Sequence, residues 1–106
     1  MSPPGLFNVD TREEVAGVTL ALSGELDLSG EQALEAALAA ARVLGGRLTV
    51  DLTELEFIDS SGLRVLVRLH NAAVSSGFDY TLIAGPPQVH RTFALCGLDR
   101  TLAFAA

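Results

Sequence analysis

The constraint that bears hardest on this 106-residue chain is the way its hydrophobic period changes along the sequence. Val18-Thr19-Leu20-Ala21-Leu22-Ser23 alternates in the manner of a strand, and a shorter alternating stretch from Leu6 to Arg12 precedes it across the turn region Glu13 to Gly17. The spacing predicts a β-hairpin. From Ser29 onward the period lengthens: Leu34, Ala37, Leu38, Ala41 and Leu44 recur at helical spacing, while Glu31, Glu35 and Arg42 occupy other faces. Ser29 followed by Gln32 has the form of a capping box, and Gly45-Gly46 ends the run.

The alternation then repeats. Leu48 to Leu52 reads as a central strand, Thr53 to Glu56 as a tight acidic connection, and Leu55, Phe57 and Ile58 as residues seating that connection on the core. A second helix is expected from Asp59 or Ser60 to about Ser76, with Gly77 after it and an apolar stripe of Leu63, Leu66, Val67, Leu69, Ala73 and Val74. Phe78 to Ala84 supplies another strand, and Pro86-Pro87 opens a third helix that runs to Cys96 with Gly97 as its cap. Leu102 to Phe104 is a candidate short edge strand. The order ββαβαβα implies a single α/β domain with a mainly parallel central sheet, an antiparallel N-terminal strand and helices packed against it. Residues 1–5 read as a flexible arm, leaving 6–106 as the domain, with no internal repeat.

Composition limits the function. Thirteen acidic residues against seven basic ones give a formal charge of -6, and all seven basic residues are arginine. Nucleic-acid binding needs a clustered basic surface, which this sequence lacks. Cys96 is the single cysteine and is read as packing at a helix end; no disulfide framework points to secretion. No stretch is long and apolar enough to span a membrane, so the expected location is the cytoplasm. His70 and His90 read as surface or boundary residues and make no metal-binding spacing with Cys96. Neither a nucleophile elbow nor a glycine-rich phosphate loop is present, so no enzyme activity, metal or cofactor is assigned.

The segment Asp59-Ser60-Ser61-Gly62 carries the candidate chemistry. It lies after a parallel strand and at the amino end of a helix, where unpaired N–H groups and partial positive charge gather. One reading is an ordinary cap, with Asp59 or Ser60 accepting from the helix and Gly62 allowing close approach of another segment. The other is a recognition or modification site, because one cap needs one acceptor and a second serine is left over. A phosphoryl group on Ser61 would be stabilised locally by the helix end and would deepen the negative charge beside Asp27 and Asp59.

Gly24-Glu25-Leu26-Asp27-Leu28, Val50-Asp51-Leu52, Phe57-Ile58-Asp59-Ser60-Ser61-Gly62-Leu63, and Phe93 with Gly97-Leu98-Asp99 together resemble the STAS domain of bacterial anti-sigma factor antagonists. The resemblance extends from about Phe7 to Phe104. It implies partner switching: the unphosphorylated protein binds an anti-sigma factor that is also a serine kinase, which frees a sigma factor for transcription. Phosphorylation at Ser61 then weakens that binding, and a metal-dependent serine phosphatase resets it. The resemblance also implies that Asp27, Asp59, Ser60, Ser61 and Gly62 form the kinase-facing surface, with Glu25, Leu28, Arg64 and Arg68 around it. Arg64 stands where well-known members frequently have glycine. The competing reading is a STAS interaction subunit of another bacterial signalling or lipid-transport complex, without a Ser61 switch. The alternating core pattern distinguishes no homodimer interface.

Overall fold

The computed structural model describes residues 5–106. The arm expected at residues 1–5 lies outside the described residues except for Gly5, whose carbonyl accepts a hydrogen bond from the Glu25 N–H.

Strands β1 (Asn8–Glu14) and β2 (Gly17–Leu26) form the antiparallel hairpin. β1 has the seven-residue length of the sequence reading but sits two positions later, β2 extends beyond its reading at both ends, and Val15-Ala16 alone makes the turn. A one-turn 3-10 segment, Leu28–Gly30, leads into α1 (Glu31–Leu44). Next come β3 (Arg47–Ile58), α2 (Ser60–Ser76), β4 (Tyr80–Ile83) and α3 (Pro87–Leu95). The sheet order is β1-β2-β3-β4, with β2, β3 and β4 parallel. This is the mainly parallel sheet with one antiparallel edge that the periodicity predicts.

Val18, Leu20 and Leu22 of β2 face the helices, as do Leu48, Val50 and Leu52 of β3 and Tyr80 and Leu82 of β4. With Leu34, Leu38 and Ala41 of α1, Leu66 and Leu69 of α2, and Val89 and Phe93 of α3 they form one hydrophobic cluster. The other face of the sheet carries Thr19, Thr49 and Thr81 as a row of register partners, each half-buried.

Several local expectations are corrected. Thr53 to Glu56 is no connection: β3 runs unbroken through it. Two register shifts against β2, between Ala21 and Ser23 and between Gly24 and Glu25, insert extra residues into β3. Such bulges turn Leu55 and Ile58 inward although they break the two-residue period. They also leave Phe57 47% exposed, so it does not seat the connection on the core. Ser29 does not cap α1, because Gly30 occupies that position and Asp27 caps the 3-10 turn instead. Leu44 and Val74 are exposed, and Val65, absent from the expected stripe, is buried. Cys96 is exposed rather than packed. The segment Leu102–Phe104 makes a single parallel bridge, from Phe104 to Leu82, and no full strand.

Candidate functional site

Parallel pairing dictates where the site forms. Leu26 and Ile58 are register partners at the carboxyl ends of β2 and β3, and the Asp59 N–H donates to the Leu26 carbonyl at 3.1 Å. The next residues, Asp27 and Asp59, therefore leave the sheet side by side. Each begins a helical segment and each caps it.

Asp59 is the N-cap of α2. Its backbone is extended, and its Oδ1 accepts from the N–H of Ser61 at 2.8 Å and of Gly62 at 3.3 Å. Asp27 does the same for the 3-10 turn: its Oδ1 accepts from the Ser29 N–H at 2.9 Å. The glycines three residues on are matched too. A Cβ on Gly62 would lie 2.7 Å from Leu26 Cγ and 2.8 Å from Ile58 Cγ1, and one on Gly30 would lie 2.8 Å from Phe7 Cδ2. Neither helix start could approach the sheet as closely with a larger residue.

The rim is thus built from two Asp-x-Ser-Gly segments, Asp27-Leu28-Ser29-Gly30 and Asp59-Ser60-Ser61-Gly62. The repeated Asp-x-Ser-Gly was a signal available in the sequence. It marks two neighbouring strand-to-helix junctions, and Ser29 is the positional counterpart of Ser61.

The two serines are used differently. Ser29 is exposed and its hydroxyl donates to Asp27 Oδ1 at 2.6 Å. That bond, followed by the one from the Ser29 N–H, holds the Asp27 carboxyl below the ordinary 3.8. Ser61 is 9% exposed, and its hydroxyl makes no hydrogen bond to another described residue. The only fully covered side-chain polar atom lacking a partner among the described residues is His90 Nδ1, so Ser61 Oγ is not sealed from solvent. An uncommitted hydroxyl at a helix amino end is the arrangement a phosphoryl acceptor needs.

Around this hydroxyl the other expected residues divide. Glu25, Leu28, Ser60 and Arg64 are exposed at or beside the rim, and Leu28 is 68% exposed. Phe57, the register partner of Glu25, joins them as an exposed apolar residue that sequence reasoning missed. No local signal gave its face, which is set by the bulged pairing of β3 with β2. Arg68 does not belong to this surface. Its guanidinium bridges α2 to α1 by donating to Glu31 Oε1 at 2.8 Å and to Glu35. A depression lined by Leu28, Ser29, Glu31, Gln32 and Glu35 opens beside the first junction, and Arg68 already engages both of its carboxylates.

The remaining polar clusters are structural. Tyr80 Oη is 2.7 Å from His70 Nδ1 and accepts from the Ala103 N–H at 3.0 Å, tying β4 to α2 and to the C-terminal segment. Burial pushes the Tyr80 phenol above its ordinary 10.0, partly offset by the Ala103 bond. Among the described residues no cluster of His, Cys, Asp or Glu could hold a metal ion, and no helix is long and apolar enough to cross a membrane.

Comparison with known proteins agrees with this geometry. A family model described as "Mlab, STAS domain" matches residues 9–103. The anti-sigma-F factor antagonist RsfB of Mycobacterium tuberculosis is 29% identical over 104 residues, covering 95% of this chain and 83% of the relative. A crystal structure of an anti-sigma factor antagonist from Mycobacterium paratuberculosis superposes with a TM-score of 0.79 at 28% identity, over 98% of this chain and 89% of that one. The fold is also that of SpoIIAA from Bacillus in its unphosphorylated form, with a TM-score of 0.75 at 22% identity over 93% of this chain and 89% of the other.

Proposed function

The chain belongs to the STAS domain family, and from that premise we propose that it is an anti-sigma factor antagonist controlled by phosphorylation of Ser61. The observation that carries the proposal is the uncommitted Ser61 hydroxyl at the amino end of α2, in the first turn after the capping Asp59 and at the junction neighbouring the one that Asp27 caps.

In the unphosphorylated state the rim is the binding surface. Leu28 and Phe57 supply apolar contact, Glu25 and the two aspartates supply negative charge, and the partner is an anti-sigma factor with serine-kinase activity. Because most of Ser61 is covered, a kinase reaches it only when docked on that rim, so binding and modification share one surface. Ser61 Oγ attacks the γ-phosphorus of ATP held by the kinase. The new O–P bond replaces the bond to the bridging oxygen, ADP leaves, and the hydroxyl proton passes to a base of the kinase. The product carries about -1.5 to -2 additional charge where two carboxylates already stand. Like charge and lost hydrogen bonding expel the partner, and a serine phosphatase restores the binding form. In this scheme the chain is ligand and substrate, and the kinase and phosphatase supply the catalysis.

A second reading is favoured by the burial of Ser61: a fixed STAS interface in a signalling or lipid-transport complex, where the serine is a packing residue. One experiment separates the two. The unphosphorylated protein is used to capture its kinase, and the kinase is then supplied with ATP. Intact-mass and fragment analysis should find one phosphoryl group on Ser61, and Ser61→Asp should weaken kinase binding about tenfold or more. Transfer to another residue, or transfer that persists in Ser61→Ala, overturns the assignment.

A further inference from the structure

We propose that Arg64 is a phosphate clamp: when Ser61 carries a phosphoryl group, the Arg64 guanidinium folds back over one turn of α2 and pairs with it. The inference rests on the reading of Ser61 as the acceptor and adds a regulatory element within the chain itself.

Three observations lead to it. The first is placement. Residues three apart on a helix are neighbours, with Cβ atoms about 5–6 Å apart, and helical side chains lean toward the amino end. Arg64 therefore leans toward Ser61, and its long stem spans that interval. The second is the commitment or placement of the other arginines among the described residues. Arg68, one turn further along α2, is held by Glu31 and Glu35. Arg12 pairs with Asp10, and Arg42 lies over the Phe78 ring. Arg47 opens β3, at the end of the strand remote from Asp59, and Arg91 and Arg100 belong to α3 and the segment after it. Arg64 is exposed, sits on the rim and makes no ion pair with a described residue.

The third observation is the charge the modified serine meets. Asp27 and Asp59 both act as hydrogen-bond acceptors in their caps and bring no positive charge to a phosphate. The α2 amino end offers partial positive charge, but the Ser61 and Gly62 N–H groups already donate to Asp59. A guanidinium is the one full positive charge that the rim can bring to a phosphate, and its planar fork suits two phosphate oxygens. The clamp stabilises the modified state and lengthens its lifetime. In the unmodified state the same arginine is free for a partner's acidic group.

The test needs no kinase. Phosphoserine is installed at position 61 by codon reassignment, and its second ionisation is followed by phosphorus NMR in the native chain and in Arg64→Ala, Arg64→Gln and Arg68→Ala. Losing the clamp should raise that pKa by about half a unit in both Arg64 variants, roughly a threefold change in proton affinity, as expected of an exposed pair. The difference should shrink in 0.5 M salt, taken as roughly a Debye length of 4 Å, and Arg68→Ala should shift it less. Equal titration curves for the native chain and the Arg64 variants overturn the clamp, as does an equal shift in Arg68→Ala. Because the phosphoserine is introduced directly, these outcomes are independent of whether a kinase transfers phosphate to Ser61.

Discussion

Two neighbouring junctions in this molecule share one frame and spend it differently. At Asp27-Leu28-Ser29-Gly30 the chain passes through a 3-10 turn before α1, and both the N–H and the hydroxyl of Ser29 are bonded to Asp27. At Asp59-Ser60-Ser61-Gly62 it enters α2 directly, Asp59 takes two backbone N–H groups, and the Ser61 hydroxyl is left over. The contrast shows what makes a serine available for chemistry at a helix start. An aspartate that accepts only from the backbone leaves the hydroxyl free, whereas one that also accepts the hydroxyl consumes it. The first junction is a closed cap, and the second is a cap that carries a reactive group.

The largest test of that pairing is at the glycines. Gly62→Ala forces a methyl against the buried side chains of Leu26 and Ile58, which are 0% and 3% exposed and cannot move into solvent. A loss of about 1–3 kcal/mol is expected in urea unfolding. Gly30→Ala meets chiefly the ring of Phe7, which is only partly buried and can swing outward, so its loss should be smaller. Equal losses would mean that the two junctions are equally rigid. The capping carboxylates come next: Asp59→Ala should cost about 1 kcal/mol, the usual value for losing an N-cap, because a 17-residue helix depends on it. Asp27→Ala should cost less, since Asp27 caps only a three-residue turn. Reversal of that order would show that the first junction, not the second, anchors the fold.

These junctions also show how far the sequence could be read. The β-to-α alternation, the antiparallel first strand and the α2 boundaries follow from period and from the capping residues, and they stand in the structure. Asp59 and Gly62 were recognisable because a strand, an acceptor and a helix lie in sequence order there. At Ser29 the same logic chose the wrong cap: the residue with the right side chain was already inside the turn, and Asp27 two positions earlier took its N–H. Thr53 to Glu56 looked like a loop because its polarity is high and its period broken, yet pairing with β2 kept it in the strand through two bulges. A bulge depends on the partner strand, so no window on β3 alone could reveal it. Phe57 and Val65 were misplaced for a related reason: which face they take depends on the register and the rotation of the element about its axis. The site was legible where it depends on local order, and obscure where it depends on two segments meeting.

The smallest effect tests the closed junction directly. The Ser29 hydroxyl is the leading cause of the low Asp27 pKa, so Ser29→Ala should raise it toward 3.8, as read from carboxyl-carbon NMR. The sign of the stability change follows from linkage. A carboxyl with a depressed folded pKa contributes stability that is present above its unfolded value and lost as the pH falls through its folded one. The native chain should therefore lose this contribution on acidification below about pH 4, the ordinary carboxylate range. Ser29→Ala has less of it to lose, and its stability should depend less steeply on pH there. Ser61→Ala should leave the acid limb unchanged, because its hydroxyl bonds to neither aspartate. If instead Ser61→Ala flattened the acid limb as Ser29→Ala does, both hydroxyls would be committed to carboxylates in solution, and the distinction between a closed cap and a reactive one would fail.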